Sequence, residues 1–307
     1  MKTTSQSLDD QSTLERRRFI KYVGALGVVF TTPAFAGNLF DLLDPKGKNK
    51  DLQKAKNLLG GASDLMASRK DIDYDSEFAI GESLALEGFQ RYGMPVKNED
   101  LQKYMNLIGR AVAKNSTRPD IPYYFVAVES GLYNAFACPG GIIFVSTTLI
   151  KSMKNEAELA CVLAHEISHV THRHALNTIK RAKLFEGLGK ISQATMKGKD
   201  SKKFRNVIGG LQDVLFEKGL DKNMEFEADL SGLDLAYKAG YNPEAFVRVL
   251  SMLQENEKKA EKKGSWFSTH PPLPDRIKKC REKLKEYPDA STLAELDDRF
   301  RSHISRL

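Results

Sequence analysis

Hydrophobic and polar positions recur along the chain with two different periods. Within residues 58–114 and 155–170, apolar residues return every three or four positions, which predicts helices with a buried face. Three short strand-like runs lie between them, at residues 123–128, 134–138 and 142–146, and a Pro-Gly-Gly turn joins the last two. We therefore expect a mainly α-helical protein with a small antiparallel β-sheet, which is an α+β fold.

The second half of the chain is also predicted to be helical. Asn223 is expected to cap a helix that ends at Gly240, Asn242-Pro243 to begin another, and Ser291 to cap the last one. Residues 183–221, which precede these helices, are rich in glycine and lysine. We predict patchy helix and mobility for that stretch.

The first 36 residues have the pattern of an export signal. Arg16-Arg17-Arg18-Phe19-Ile20-Lys21 resembles the twin-arginine motif, an apolar run follows at residues 22–32, and Ala34-Phe35-Ala36 forms an A-x-A cleavage signal. The apolar run is shorter than the roughly 20 residues of a membrane span. We expect cleavage after Ala36 and a periplasmic location. Export by the general route and an uncleaved, membrane-anchored N-terminus are the alternatives.

The rest of the chain is expected to form a polar linker at residues 37–57 and one domain at residues 58–307. The net charge is +7, and lysines cluster in stretches with few aromatic residues. Such stretches are typical of solvated loops, so we expect no nucleic-acid partner, while weak peripheral contact with an anionic membrane stays open. Cys138, Cys161 and Cys280 are widely spaced, which indicates neither a disulfide framework nor a cysteine zinc site.

The helix predicted at residues 155–170 contains the sequence His-Glu-x-x-His. His165 and His169 share one face and can both reach a zinc ion, whereas Glu166 projects about 100° around the axis, towards a water on the metal. A metalloprotease needs this arrangement. The motif alone also fits a satisfied surface pair, but apolar flanking residues bury this helix, and buried histidines need partners. We therefore predict two metal ligands and a general base, Glu166.

The third metal ligand is predicted from a later helix. His172 lies about 10 Å from His165 along the helix, and His174 is expected to point elsewhere, so we interpret both as structural or surface residues. Glu225 and Asp229 are four residues apart and share a face. Glu225 can complete a His₂Glu site, and Asp229 can accept the far N–H of a ligating histidine. A solvated acidic face is the alternative.

The predicted strand that contains Asn134, Ala135 and Phe136 precedes the metal-binding helix in the sequence. At the edge of a sheet, such a strand can pair with an extended polypeptide as one further strand. A strand that only supports the core is the alternative, and Asn134 favours substrate binding.

Together these motifs resemble the gluzincin family of zinc metallopeptidases that includes HtpX, BepA and the CAAX prenyl endopeptidase. The resemblance covers about residues 76–285 and adds three motifs, which are Asn134-Ala135-Phe136-Ala137-x-Pro139-Gly140-Gly141, His172-x-His174, and Thr269-His270-Pro271-Pro272 with Arg276. Asp221-Lys222 departs from the family's usual Ser-Arg, which puts a contact near Glu225 in doubt. The membrane helices and helical-repeat tail of larger members have no counterpart, so we expect a minimal, soluble, exported member.

The resemblance implies a zincin-like fold with one zinc ion per chain. It further implies an endopeptidase of the bacterial cell envelope that degrades misfolded or misassembled proteins, with unfolded or extended polypeptides as partners. His270 and Arg276 are candidates for gating the site or stabilising an oxyanion, and His270 also fits a structural turn. A periplasmic chaperone or assembly factor with a zinc site and little proteolysis is the main alternative, and a hydrolase of another bond is a further one. The sequence indicates no oligomeric state.

Overall fold

The protein is mainly helical, as the hydrophobic pattern predicts. The computed structural model describes residues 74–181, 219–257, 266, 270, 273–305 and 307. Along these residues the elements are α1 Tyr74–Tyr92, α2 Glu99–Ala113, β1 Tyr124–Val128, β2 Ala135–Cys138, β3 Ile142–Ser146, α3 Thr147–Ser152, α4 Glu156–Thr171, α5 His174–Arg181, α6 Lys222–Lys238, α7 Glu244–Asn256, α8 Leu273–Lys283 and α9 Asp297–Ile304. The predicted export signal, the linker and most of the stretch at 183–221 lie outside the described residues.

Polar side chains cap the helices that carry the candidate site. Asn155 caps α4 as predicted, because its side chain accepts a hydrogen bond from the Glu158 amide at 3.0 Å. The cap of α6 is Asp221 and not Asn223, since Asp221 accepts a hydrogen bond from the Asn223 amide at 2.9 Å. The prediction for Ser291 was also wrong. That residue lies in a single 3₁₀ turn, Ala290–Thr292, and α9 begins only at Asp297.

The sheet has three strands in the order β1-β3-β2. The strands β2 and β3 are antiparallel, but β1 and β3 are parallel, so the sheet is mixed and the antiparallel prediction was wrong for one pair. The hydrophobic pattern marks each strand without showing which neighbours pair. Here β3 inserts between the two preceding strands, and this order leaves β2 at an edge.

The tight turn between β2 and β3 requires glycine. Gly140 has a φ of +80°, a left-handed conformation that side chains disfavour. A Cβ atom at this position would also lie 2.6 Å from the Cα atom of Phe78 in α1. The turn can therefore pack closely against α1, which holds the sheet against the helices.

The core is built around α4, whose residues are buried from Glu156 to Val170. Helices α2, α6 and α7 and the strand β2 surround it. At Gly232 the backbone of α6 comes so close to α4 that a Cβ atom would lie 3.1 Å from the Cα atom of His165. This contact brings the predicted ligands on the two helices together. No helix of the described residues is both long and apolar enough to cross a bilayer.

Candidate metal centre

His165, His169 and Glu225 meet at the contact between α4 and α6. The Nε2 atoms of the two histidines are 3.0 Å apart, and they lie 3.7 and 3.6 Å from the oxygens of Glu225. Ligands bound at 2.0–2.1 Å to a tetrahedral zinc ion lie about 3.3 Å apart. All three side chains are buried, so the donor set and its spacing fit a zinc ion.

Both histidines are in the protonation state that a metal requires. Burial lowers the pKa of His165 to about 4, although Asp229 acts to raise it, and burial also lowers the pKa of His169 well below its ordinary value. A neutral imidazole keeps a lone pair for a metal.

Glu166 lies on α4 beside these ligands and is fully buried. Neither of its carboxylate oxygens has a hydrogen-bond donor at bonding geometry within the described residues. Burial raises the pKa of Glu166 to about 7, although the nearby His270 acts to lower it. Buried carboxylates without a hydrogen bond are costly and uncommon, which makes Glu166 a candidate functional group.

Asp229 and Arg276 form a buried ion pair behind His165. The guanidinium donates to both carboxylate oxygens, at 2.7 and 2.8 Å, and lies 3.0 Å from Glu225. Burial acts to raise the pKa of Asp229, but the charge and hydrogen bonds of Arg276 together with the contact from His165 outweigh it, so the pKa is lowered. The Nδ1 atom of His165 is 2.9 Å from Asp229, though the ring N–H is not aimed well enough at the oxygen for a full hydrogen bond.

His270 also reaches the cluster. Its Nδ1 atom is 3.0 Å from each oxygen of Glu225, and its Nε2 atom is 3.4 Å from the Ala135 carbonyl and 3.8 Å from Glu166. Burial acts to lower the pKa of His270, but Glu225 and Glu166 outweigh this effect and the pKa is raised. The ligand atoms of His270 and the three candidate ligands all lie within 4.8 Å of one another.

The predicted substrate strand borders the same site. Ala135 and Phe136 belong to the edge strand β2, and Asn134 precedes it with its backbone paired to Ser146. Phe136 lines a small cavity together with Glu166, His169 and His270. The chain therefore brings its candidate metal ligands, its buried carboxylate and a sheet edge to one place.

The prediction that His174 points away from the site was wrong. Its side chain is buried, and its Nδ1 atom lies 2.8 Å from the Nδ1 atom of His169. In a continuous helix the two residues would point about 140° apart. The helix instead ends at Thr171, and Arg173 adopts a left-handed φ of +55°, which turns His174 back towards the site. The His172-x-His174 motif marked these residues but not this break.

Two helices therefore supply two histidines, a glutamate and a second buried carboxylate, that of Glu166, which together define a His₂Glu metallopeptidase. The chain belongs to peptidase family M48, whose family model matches residues 98–284, more than half of the chain. This match confirms the resemblance of the motifs to the gluzincin metallopeptidases.

Relatives of the chain include bacterial and mitochondrial proteases. It is 30% identical to the beta-barrel assembly-enhancing protease of Yersinia pestis over 56% of this chain and 37% of that protein. It is 28% identical to the mitochondrial metalloendopeptidase OMA1 of Saccharomyces cerevisiae over 56% of this chain and 50% of that one. It is also 33% identical to OMA1 of Bos taurus over 47% of this chain and 29% of that one. The chain spans half or less of the length of each of these relatives.

Proposed function

We propose that this protein is a zinc-dependent endopeptidase of the bacterial cell envelope that cleaves unfolded or extended polypeptides. The observation that carries this proposal is the buried carboxylate of Glu166, which accepts no hydrogen bond of good geometry from the part of the chain that the structure describes and lies beside the cluster of His165, His169 and Glu225. A structural zinc site uses four protein ligands and needs no further buried carboxylate beside them.

The residues divide the chemistry between them. His165, His169 and Glu225 would hold the zinc ion, which when bound lowers the pKa of a water to about 7 and polarises the scissile carbonyl. Glu166 accepts the proton of the attacking water and later gives it to the leaving amine, a role that suits its raised pKa. Asp229 and Arg276 hold the ligands in place behind the cluster.

The proposed substrate class follows from the edge strand. β2 pairs on one side with β3, and its other side faces the cluster, where the Ala135 carbonyl lies 3.4 Å from His270. An extended segment that pairs with this edge would place a peptide bond near Glu166. Folded proteins seldom offer an unpaired extended segment, so unfolded or misassembled proteins are the expected substrates.

The envelope location rests on different support. The N-terminal 36 residues have the pattern of an export signal, and the Yersinia pestis relative is named as a protease that enhances beta-barrel assembly. Degradation of misassembled envelope proteins is the role we propose for this chain.

The test is the substitution Glu166→Gln in the zinc-loaded protein. The amide has the same size but cannot accept the proton, so peptide release from an unfolded protein should fall by about 10²–10⁴-fold with zinc content unchanged. Glu82→Gln is the matched control, because Glu82 is another buried carboxyl whose pKa burial raises to about 7, and it lies in α1 outside the cluster. It should keep wild-type activity.

Two results would reject the proposal. Near wild-type cleavage by zinc-replete Glu166→Gln would remove Glu166 from the mechanism. A zinc-loaded wild-type protein that binds unfolded polypeptides and releases no peptides would instead indicate a chaperone or assembly factor.

A further inference from the structure

The two candidate metal-binding histidines have different partners on their second ring nitrogens. The Nδ1 atom of His165 faces a carboxylate directly, at 2.9 Å from Asp229. The Nδ1 atom of His169 faces another imidazole, at 2.8 Å from the Nδ1 atom of His174. The Nε2 atom of His174 then lies 3.0 Å from Glu227. Both paths therefore end on a carboxylate of α6, one of them through an additional histidine.

The positions of the protons follow from these contacts. A hydrogen bond between two ring nitrogens needs one proton, and a neutral imidazole carries one proton on one of its nitrogens. When the Nε2 atom of His169 offers its lone pair to a metal, its proton must be on Nδ1 and is donated to His174. The Nδ1 atom of His174 then accepts, so His174 carries its own proton on Nε2 and donates it to Glu227. Every polar atom in this chain of contacts has a partner.

Three features of the fold hold this arrangement. The left-handed turn at Arg173 directs His174 back under the end of α4. The ring of His172 stacks on that of His174, with centroids 5.4 Å apart and planes 15° apart. Glu227 follows the ligand Glu225 by two residues and points about 200° around α6 from it, so the helix that supplies the third ligand also supplies this carboxylate on another face.

We infer that His174, backed by Glu227, is a positioning residue that fixes the tautomer and ring orientation of His169 for metal binding. This inference rests on the proposed metal site but not on proteolysis, because its effect is on metal affinity. Partners of this kind typically change metal affinity or activity by 10–100-fold. His174 is buried and Glu227 is half-exposed, so the charge at the outer end stays solvated while the histidines stay dry.

The same cluster could instead bind a second cation. The ligand atoms of His172, His174 and Glu227 lie within 4.8 Å of one another, which is close enough for one metal ion. However, a metal on the Nε2 atom of His174 would move the proton of that ring to Nδ1, where it would point at His169. The His169 Nδ1 atom would then have to accept, and its Nε2 atom would carry the proton and lose its lone pair for the first metal. The proton balance therefore favours the positioning role.

The experiment measures zinc affinity by competition with a chelator in the full mature chain. His174→Leu removes the acceptor at similar size, and we expect zinc to bind about 10–100-fold more weakly. His174→Asn restores an oxygen acceptor near the position of Nδ1 and should recover most of the loss. Glu227→Gln keeps an acceptor for His174 and should have a smaller effect. His303→Gln is the control, because His303 stacks on Tyr104 and belongs to neither histidine cluster, and it should bind zinc like the wild type.

Metal-free melting temperatures separate this role from a structural one. The Leu and Asn variants should have similar melting temperatures without zinc and different zinc affinities. Zinc affinity of His174→Leu within twofold of the wild type, or an equal loss in both variants, would overturn the inference. Two tight equivalents of zinc in the wild type that fall to one in His172→Gln would also overturn it, because His174 would then bind a metal. Loss of proteolysis alone bears only on the proposed function.

Discussion

The ion pair between Arg276 and Asp229 gives the sharpest test of how the candidate site is held together. The substitution Arg276→Met keeps an unbranched side chain as far as the position of Nε and removes the rest of the guanidinium with its charge. In the wild type the guanidinium is fully buried and donates to both oxygens of Asp229 and to the His270 carbonyl at 2.8 Å. It also lies 3.0 Å from Glu225.

The expected loss of stability follows from the buried carboxylates that Arg276→Met leaves without a cation. Removing one partner of a buried pair leaves an uncompensated charge and costs about 3–5 kcal/mol. Here two carboxylates, Asp229 and Glu225, lose the same cation, so we expect the upper part of that range. Domains of this kind have a total stability of roughly 5–15 kcal/mol, so the variant would lose a large part of it. The double variant Arg276→Met/Asp229→Leu should recover some of the loss, because an apolar pair can replace a buried ion pair at little cost.

The measurement is urea denaturation of the metal-free protein, so that zinc binding does not contribute to stability. Arg276→Lys serves as the milder variant if Arg276→Met does not fold. It keeps the charge but cannot donate to both oxygens of Asp229 at once, so we expect an intermediate loss. The denaturation midpoints of the four proteins give the free-energy differences, provided that their slopes agree.

The reasoning would be refuted by a metal-free Arg276→Met protein within about 1 kcal/mol of the wild type, since that is the scale of an exposed pair and not of a buried one. A double variant that is less stable than Arg276→Met would also contradict it, because removing the second charge should relieve the first.

Three further predictions concern the ligands, the nearby histidine and a distant buried carboxylate. Glu225→Ala should lose zinc during dialysis, because a ligand is gone. Asp229→Ala should retain a site whose zinc affinity is weakened by about 10–100-fold. Full zinc occupancy in Glu225→Ala would mean that the third ligand is a different residue. His270→Ala should raise activity on an unfolded substrate if the imidazole blocks the metal, and should lower activity if the imidazole stabilises the transition state. The zinc content should stay intact in both cases. Unchanged activity together with unchanged zinc content would leave His270 a structural residue. Burial acts to raise the pKa of Glu156, but hydrogen bonds from Arg299, Tyr241 and Tyr104 outweigh it and lower the pKa. The folded pKa is thus below the unfolded value of about 4.3, so this carboxylate stabilises the protein above that pH and the contribution is lost as the pH falls through the folded pKa. Denaturation from pH 7 to pH 3 should therefore show Glu156→Gln less stable at pH 7 and converging on the wild type in acid; a constant difference would contradict this.

The sequence by itself determined the parts of the site that depend on local spacing. The interval of four residues placed His165 and His169 on one face of α4, and the same interval paired Glu225 with Asp229 on α6. The cap at Asn155 and the three strands were also predictable, because caps and short apolar runs bounded by turn residues act over a few neighbouring positions.

Only the tertiary structure decided how these parts meet. The direction of β1 relative to β3 depends on which strand inserts between them, and periodicity carries no information on pairing. The position of His174 next to His169 depends on a left-handed residue at Arg173, which breaks a helix whose sequence would otherwise continue. The ion pair of Arg276 with Asp229 joins residues 47 positions apart, and it forms because α8 packs on α6. Local spacing fixes which side chains share a face, but the charges and protons of this site are set by neighbours that only folding brings together.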